Sequence, residues 1–83
     1  MIHIFMIHEH QFKAVLYDGS NYAELDELLG TDLFKEDGII KYHTARSDMT
    51  IRVNEYVIKD GSYICTMPKD TFENIYGRYK KND

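Results

Sequence analysis

The stretch from Met49 to Tyr79 constrains the fold most, because strand patterns, a tight turn and a helix pattern follow one another within it. Residues 49–53 and 56–59 have the period of two that is typical of strands. Asp60-Gly61 after the second of these segments predicts a two-residue type I′ hairpin turn, which needs positive φ at both central residues. A strand over 63–67 returns along it, and apolar residues then recur at helical spacing at Phe72, Ile75, Tyr76 and Tyr79.

The residues before this stretch predict further strands and one helix. Residues 1–7 are apolar on both faces and indicate a buried strand, and residues 12–17 indicate a second one, so that the two form either a hairpin or one bent strand. A helix is expected over about 20–29, with Leu25 and Leu28 on its apolar stripe and Asn21 with Glu24 as a capping box. Residues 31–38 read as a loop, and residues 39–43 as a strand.

These elements predict an α+β fold for a single domain over residues 1–83. We expect a small antiparallel sheet with two short helices on one face, in the order β-β-α-β-β-β-β-α. Pro68 suits the first turn of the last helix, and Asp70 with Glu73 resembles a second capping box. At 83 residues, one apolar core suffices without disulfides, and there is little room for a deep active site.

Composition narrows the classes of function and the location. Ten Lys and Arg residues against fourteen Asp and Glu residues give a formal charge of −4, which argues against direct nucleic-acid binding, since that depends on cations that neutralise phosphates. Cys65 is the only cysteine, and a lone thiol is commonest in a reducing compartment such as a bacterial cytoplasm. The apolar start of the chain is too short for a membrane span or a secretion signal.

Candidate catalytic and metal-binding residues are few. His8-Glu9-His10 would place two histidines on one face of an extended segment, and His43 or Cys65 could add a third zinc ligand. A polar loop is the simpler interpretation, so we predict neither a metal site nor another cofactor. Cys65 alternates with neighbours on a strand and is expected to be a small buried hydrophobic residue rather than a nucleophile. The sequence therefore favours a non-enzymatic protein.

Two sets of residues are candidates for binding. The first is acidic, lies on the first helix and the segment after it, and could dock on a basic host protein: Glu24, Glu27, Asp32, Glu36 and Asp37. The second could hold a nucleotide or metabolite, with Arg binding an anion and Tyr stacking on a ring, in a pocket that an oligomer would help to form: Tyr42, Arg46, Arg52, Tyr56 and Tyr63. An apolar first strand at a sheet edge would favour pairing with another copy.

The run Met49-Thr50-Ile51-Arg52-Val53-Asn54-Glu55-Tyr56-Val57-Ile58-Lys59-Asp60-Gly61-Ser62-Tyr63, followed by Asp70-Thr71-Phe72 and Tyr76, resembles a group of small tailed-phage and prophage proteins. In that group a Pro-Gly-Asp-Tyr-Ile-Val-Arg-Gly element precedes a hairpin, and an Asp-x-Phe-x-x-x-Tyr helix closes the chain. Residues 12–19 and 25–30 also resemble the group's opening strand and short helix. Val53-Asn54-Glu55 replaces the usual Pro-Gly-Asp, and the first eleven residues have no counterpart. The resemblance implies a phage or prophage origin and a compact α+β fold, and it implies no reaction. Within that origin, a host-takeover or anti-defence modulator that binds a host macromolecule is our first hypothesis for function.

Overall fold

The computed structural model describes residues 2–80. Its strands and α-helices are, in chain order, β1 (His3–Ile7), β2 (His10–Tyr17), α1 (Tyr22–Leu29), β3 (Leu33–Glu36), β4 (Ile39–His43), β5 (Asp48–Thr50), β6 (Glu55–Asp60), β7 (Tyr63–Pro68) and α2 (Lys69–Tyr76). A short 3-10 helix follows each α-helix, at Gly30–Asp32 and Gly77–Tyr79. The α+β class and the predicted order of elements are confirmed, and β3 is an additional strand in the segment that was predicted to be a loop.

The strands form two antiparallel sheets rather than one. The main sheet has the order β1-β2-β6-β7, and the small sheet has the order β3-β4-β5. In the main sheet β2 pairs with the distant β6, from Lys13 opposite Lys59 to Tyr17 opposite Glu55. The main sheet therefore joins the beginning of the chain to its last third.

The β1–β2 and β6–β7 connections are both two-residue hairpin turns. His8 and Glu9 have φ of 50° and 70°, and their flanking residues pair, so the first two strands form a hairpin rather than one bent strand. Asp60 pairs with Tyr63, so the second turn consists of Gly61 and Ser62. Among residues 2–80, positive φ occurs at Gly61 (59°) but not at Ser62. This is the pattern of a type II′ turn, and the predicted type I′ turn at Asp60-Gly61 is wrong.

The additional strand β3 results from an Asp-Gly turn in the small sheet. Asp37 and Gly38 have φ of 53° and 79°, and Glu36 pairs with Ile39 across them. Positive φ at both central residues is the pattern of a type I′ turn, which brings β3 back against β4. Leu33 is buried at the start of β3 and anchors the strand to the core.

The two helices cover opposite faces of the main sheet, which corrects the prediction that both lie on one face. Successive residues of a strand point to opposite faces, and each face has its own core. The first core contains α1 and the small sheet and includes Val15, Tyr17, Leu25, Leu28, Leu29, Leu33, Ile40, Tyr42, Ile51, Val57 and Ile64. The second core contains α2 and includes Phe5, Phe12, Ala14, Tyr56, Ile58 and Phe72.

Neither helix has the predicted capping box. The Asn21 amide donates from Nδ2 to the Leu16 carbonyl at 2.8 Å and accepts from the Asp18 backbone N–H at 2.9 Å, so its side chain braces the preceding loop and makes no cap hydrogen bond. The first residue of α2 is Lys69, and the side chain of Glu73 is engaged elsewhere. Two short helices without side-chain caps depend on their buried faces for stability.

The predicted strand over 49–53 ends early, at Thr50. The Ile51 backbone N–H donates to the Ile40 carbonyl at 2.9 Å, and Ile51 is buried while Met49 and Val53 are exposed. Asn54 has φ of 67°, a conformation that asparagine tolerates, and the chain reverses here before β6. On α2, Ile75 is 47% exposed, so its predicted place on the buried stripe is wrong.

The two edges of the main sheet differ. Lys80 forms an isolated antiparallel bridge to Phe5 on β1, whereas β7 has no second strand neighbour among residues 2–80. Within the same residues, none of the helices has the length and apolar character needed to cross a membrane. Pairing with a second copy stays a prediction.

Candidate functional site

A cleft with a volume of about 880 Å³ lies between the two sheets. Tyr63, Ile64 and Thr66 of β7 line it from the main sheet, and the segment from Tyr42 to Ser47 lines it from the small sheet. Volumes of about 300–1,000 Å³ are typical of small-molecule sites. The cleft brings together three residues of the predicted ligand set, namely Tyr42, Arg46 and Tyr63.

A rigid turn between β4 and β5 presents Arg46 to this cleft. The Thr44 hydroxyl Oγ1 accepts from the backbone N–H groups of Arg46 and Ser47 at 3.3 and 3.1 Å and donates to the Ser47 carbonyl at 2.7 Å. Just outside the turn, His43 Nδ1 and Asp48 Oδ1 lie 2.7 Å apart, and the His43 ring stacks on Phe34 with 4.2 Å between centroids. These contacts fix the backbone and leave the Arg46 side chain exposed.

The two tyrosines of the cleft have different environments. Tyr42 is 1% exposed; burial raises the pKa of its hydroxyl, and a hydrogen bond with Thr66 partly offsets the rise in pKa. Tyr63 is 66% exposed, so its ring is free to stack on a ligand. Tyr42 is thus part of the core beneath the cleft, and Tyr63 is part of its rim.

Arg52 and Tyr56, the other two members of this set, lie outside the cleft. Arg52 is exposed in the turn before β6, where its backbone N–H donates to Glu55 Oε1 at 2.8 Å. Tyr56 points to the opposite face, stacks on Phe72 with 4.0 Å between ring centroids, and donates its hydroxyl to Glu73 Oε2 at 3.0 Å. The structure gives Tyr56 a role in packing against α2.

The acidic residues predicted to bind a protein partner are distributed over three places. Glu24 is half-buried on α1 and Glu27 is exposed on the same helix, whereas Asp32 lines the cleft. Glu36 and Asp37 lie at the β3–β4 hairpin tip, where Glu36 accepts from Lys41 Nζ at 2.8 Å. The hairpin tip therefore carries two exposed residues of this acidic set, and α1 carries one.

The histidines and Cys65 are engaged in other contacts. His8 lies in a turn and not in an extended segment, and His10 Nε2 is 2.7 Å from Asp60 Oδ2. Burial raises the pKa of the half-buried Cys65 thiol, which disfavours the thiolate that a nucleophile needs. Residues 2–80 contain no group of three or more His, Cys, Asp or Glu side chains able to hold a metal ion.

Sequence reasoning missed the hydroxyl groups around Arg46 and the His43–Asp48 pair. Thr44, Ser47, Ser62 and Thr66 all line the cleft, but single Ser and Thr residues in turns carry no functional signal in a sequence. The His43–Asp48 pair could have been predicted from the sequence, because His43 is directly opposite Asp48 across a four-residue turn. A pair of side chains that interact at facing positions stabilises a hairpin.

Comparison of the chain with protein-family models, with curated proteins and with solved structures found no match. The phage and prophage resemblance therefore stays a prediction from the motif residues.

Proposed function

We propose that this protein acts by binding, and that the cleft between the β4–β5 turn and β7 takes a small anionic ligand with an aromatic ring, such as a nucleotide. The observation that carries the proposal is Arg46. Arg46 lines the cleft together with Tyr63, its side chain is exposed, and it has no ion-pair partner within the described residues.

The chemistry of the lining suits such a ligand. A guanidinium group forms two parallel hydrogen bonds with a phosphate or carboxylate, and an exposed tyrosine ring stacks on a base. Hydroxyl groups of Ser62 and Thr66 on the β7 side can bind sugar or phosphate oxygens. Asp32, the acidic side chain in the cleft, can accept from a ring amino group or a ribose hydroxyl.

Calorimetry with a panel of nucleoside mono-, di- and triphosphates tests this proposal on the full chain. Arg46→Ala is expected to weaken binding of the best nucleotide about tenfold or more, because a hydrogen bond to a charged group is worth roughly 1.5–3 kcal/mol. Arg52→Ala removes an equally exposed arginine outside the cleft and is the matched control. Equal losses in both variants, or no binding of any nucleotide by the wild-type chain, would refute the assignment of the cleft.

Binding of a host protein in the cytoplasm of a bacterium is a second candidate function. It is supported by the phage resemblance and by the β3–β4 hairpin tip, where Glu36 and Asp37 stand next to Ile39, an apolar residue that is 47% exposed. An acidic rim around an exposed apolar side chain suits a partner with a basic, apolar surface.

Affinity capture from bacterial lysate distinguishes this second candidate from the first. The double variant Glu36→Lys, Asp37→Asn keeps a residue that tolerates positive φ in the turn and is expected to lose the captured protein. Asp70→Lys on α2, far along the chain from the tip, is expected to retain it. The same captured set from all three proteins would exclude the hairpin tip as the interface.

A further inference from the structure

The second face of the main sheet is longer than the helix that covers it. Eight residues of α2 extend about 12 Å at 1.5 Å per residue, whereas the eight residues of β2 extend about 26 Å at 3.3 Å per residue. The helix follows Pro68, which pairs with Glu55 at the end of β6 that is remote from the Gly61–Ser62 turn. The turn end of this face is therefore the end farthest from the start of α2.

A cavity of about 310 Å³ occupies this end of the sheet. Phe12, Ile58 and Cys65 line it from three adjacent strands, and Tyr76 lines it from the last turn of α2. Met67 is half-buried and completes the lining on β7. The volume lies at the lower end of the range for small-molecule sites. Its lining differs from that of the cleft, because it includes no arginine, serine or threonine.

The polar side chains of this cavity, apart from the thiol and the tyrosine hydroxyls, are His10 and Asp60. Their Nε2 and Oδ2 atoms lie 2.7 Å apart, and the two side chains are 62% and 39% exposed. The pair joins the tip of the β1–β2 hairpin to the start of the β6–β7 turn. The cavity thus has an apolar interior and a polar, solvent-facing mouth.

The backbone beside this mouth is strained. His8 and Glu9, the two residues before His10, both have positive φ, which costs about 1–2 kcal/mol per residue for side chains other than Gly, Asn or Asp. Strained backbone is found disproportionately at ligand sites, where the surrounding structure holds it in place.

We propose that this cavity binds the hydrocarbon part of a small amphiphile whose head group is uncharged or cationic. The apolar lining matches a hydrocarbon chain, and the Asp60 carboxylate, with no arginine or lysine among the lining residues, disfavours a carboxylate or phosphate head group. A protein partner would need about 800 Å² of surface on each side, which is more than a cavity of this volume presents.

Cys65 provides a built-in reporter for this site, because it is the only cysteine of the chain and lines the cavity. The test measures the rate at which a small maleimide modifies Cys65 in the full chain, with alkan-1-ols of increasing length as the probe. Modification is expected to slow on saturation. The dissociation constant is expected to fall about fourfold for each added methylene until the chain outgrows the cavity, and alkanoic acids of equal length are expected to protect less.

Variants separate this cavity from the rest of the surface. Met67→Phe fills the cavity and is expected to abolish protection, as is Ile7→Phe on β1, whereas Ile75→Phe on the exposed side of α2 is expected to leave it unchanged. Arg46→Ala is also expected to leave the protection of Cys65 unchanged. This variant is needed because Cys65 and Tyr63 line the cleft as well as the cavity. Protection that is lost in Arg46→Ala would place the probe in the cleft instead.

Two further outcomes would overturn the proposal. If the protection of Cys65 in the wild-type chain does not depend on the length of the alcohol, no hydrocarbon is buried in the cavity. Protection that rises with protein concentration, together with a dimer in sedimentation equilibrium, would identify a second copy of the chain as the occupant.

Discussion

Glu73 accepts two hydrogen bonds, one from within α2 and one that connects α2 to the main sheet. Its Oε1 accepts from Lys69 Nζ at 2.8 Å, and its Oε2 accepts from the Tyr56 hydroxyl at 3.0 Å. The hydrogen bond from Lys69 and then the one from Tyr56 lower the pKa of the Glu73 carboxyl. On the tyrosine, burial and the contact with Glu73 raise the pKa of the hydroxyl to about 12. The ionised carboxylate and the neutral phenol therefore favour each other.

This pair predicts a specific dependence of stability on pH. A carboxyl whose pKa is lowered by folding stabilises the folded chain above its unfolded pKa, and this contribution is lost as pH falls through the folded pKa. We expect Glu73→Gln to lower the free energy of unfolding at neutral pH, and we expect the difference from wild type to shrink as pH falls below the ordinary glutamate pKa of 4.5 and through the lowered pKa of Glu73. Urea unfolding at a series of pH values measures this difference.

Asp70→Asn is the control for the Glu73 experiment, since Asp70 is an exposed acid on the same helix. Its effect on the free energy of unfolding at neutral pH should be smaller, because no hydrogen bond joins the Asp70 side chain to Lys69 or Tyr56. A constant difference between Glu73→Gln and wild type across the acidic range would show that the carboxylate charge contributes nothing.

At the scale of elements, two hairpins meet the same conformational demand with different residues. The β3–β4 turn uses Asp37 and Gly38, which suit positive φ, whereas the β1–β2 turn places His8 and Glu9 in that region. Side chains with a Cβ atom resist the left-handed conformation, and glycine does not. The β1–β2 hairpin is therefore less stable than a better turn sequence would make it.

We expect Glu9→Gly to stabilise the chain by about 1 kcal/mol through relief of this conformational cost. For a domain of this size, that corresponds to a rise of roughly 4–8 °C in Tm. Gly38→Ala is the reciprocal experiment: no atom lies within 4 Å of the Cβ it would add, so its expected loss of stability is purely conformational. Thermal unfolding followed by circular dichroism measures both, and a drop in Tm for Glu9→Gly would contradict the explanation.

The hairpins also show what the sequence of an element reveals. Asp37-Gly38 is the same turn signal as Asp60-Gly61. The charged residues around it nevertheless led to the prediction of a loop, and the strand that ends at Glu36 was not predicted. At 60–63 the hairpin was predicted but its register was not. The turn lies one residue later than predicted, so Gly61 is its first central residue. Turn residues in a sequence thus locate a hairpin well, whereas its register depends on which side chains the sheet buries.

At the scale of the molecule, the sequence could not assign the helices to faces of the sheet. Alternation predicts which residues of one strand share a face, but β2 is apolar on both, with Phe12 and Ala14 on one side and Val15 on the other. The cleft could not be predicted either, because it forms where the small sheet meets β7, and these elements are far apart in the sequence. Tyr42, Arg46 and Tyr63 could be chosen by chemistry, but only tertiary packing separates them from Arg52 and Tyr56.

The shared sheet predicts that the two cores unfold together. Leu25 of α1 and Phe72 of α2 are each 0% exposed, and they pack on opposite faces of β2 and β6. Leu25→Ala is expected to cost about 2–5 kcal/mol and Phe72→Ala about 3–5 kcal/mol, from lost burial and residual cavities. Because removing either layer exposes the sheet that the other needs, each variant should shift one common transition to lower urea concentration.

This cooperativity is tested by comparing the urea midpoints that two spectroscopic probes report. The same comparison tests the prediction of a single domain. Tyrosine fluorescence and far-ultraviolet circular dichroism should give the same urea midpoint in the wild-type chain and in both variants, as two-state unfolding requires. Ile75→Ala, at an exposed position of α2, is the control and should change the midpoint little. Two separated transitions in Phe72→Ala would show instead that the α1 face retains its structure without α2, and that the main sheet carries two independent cores.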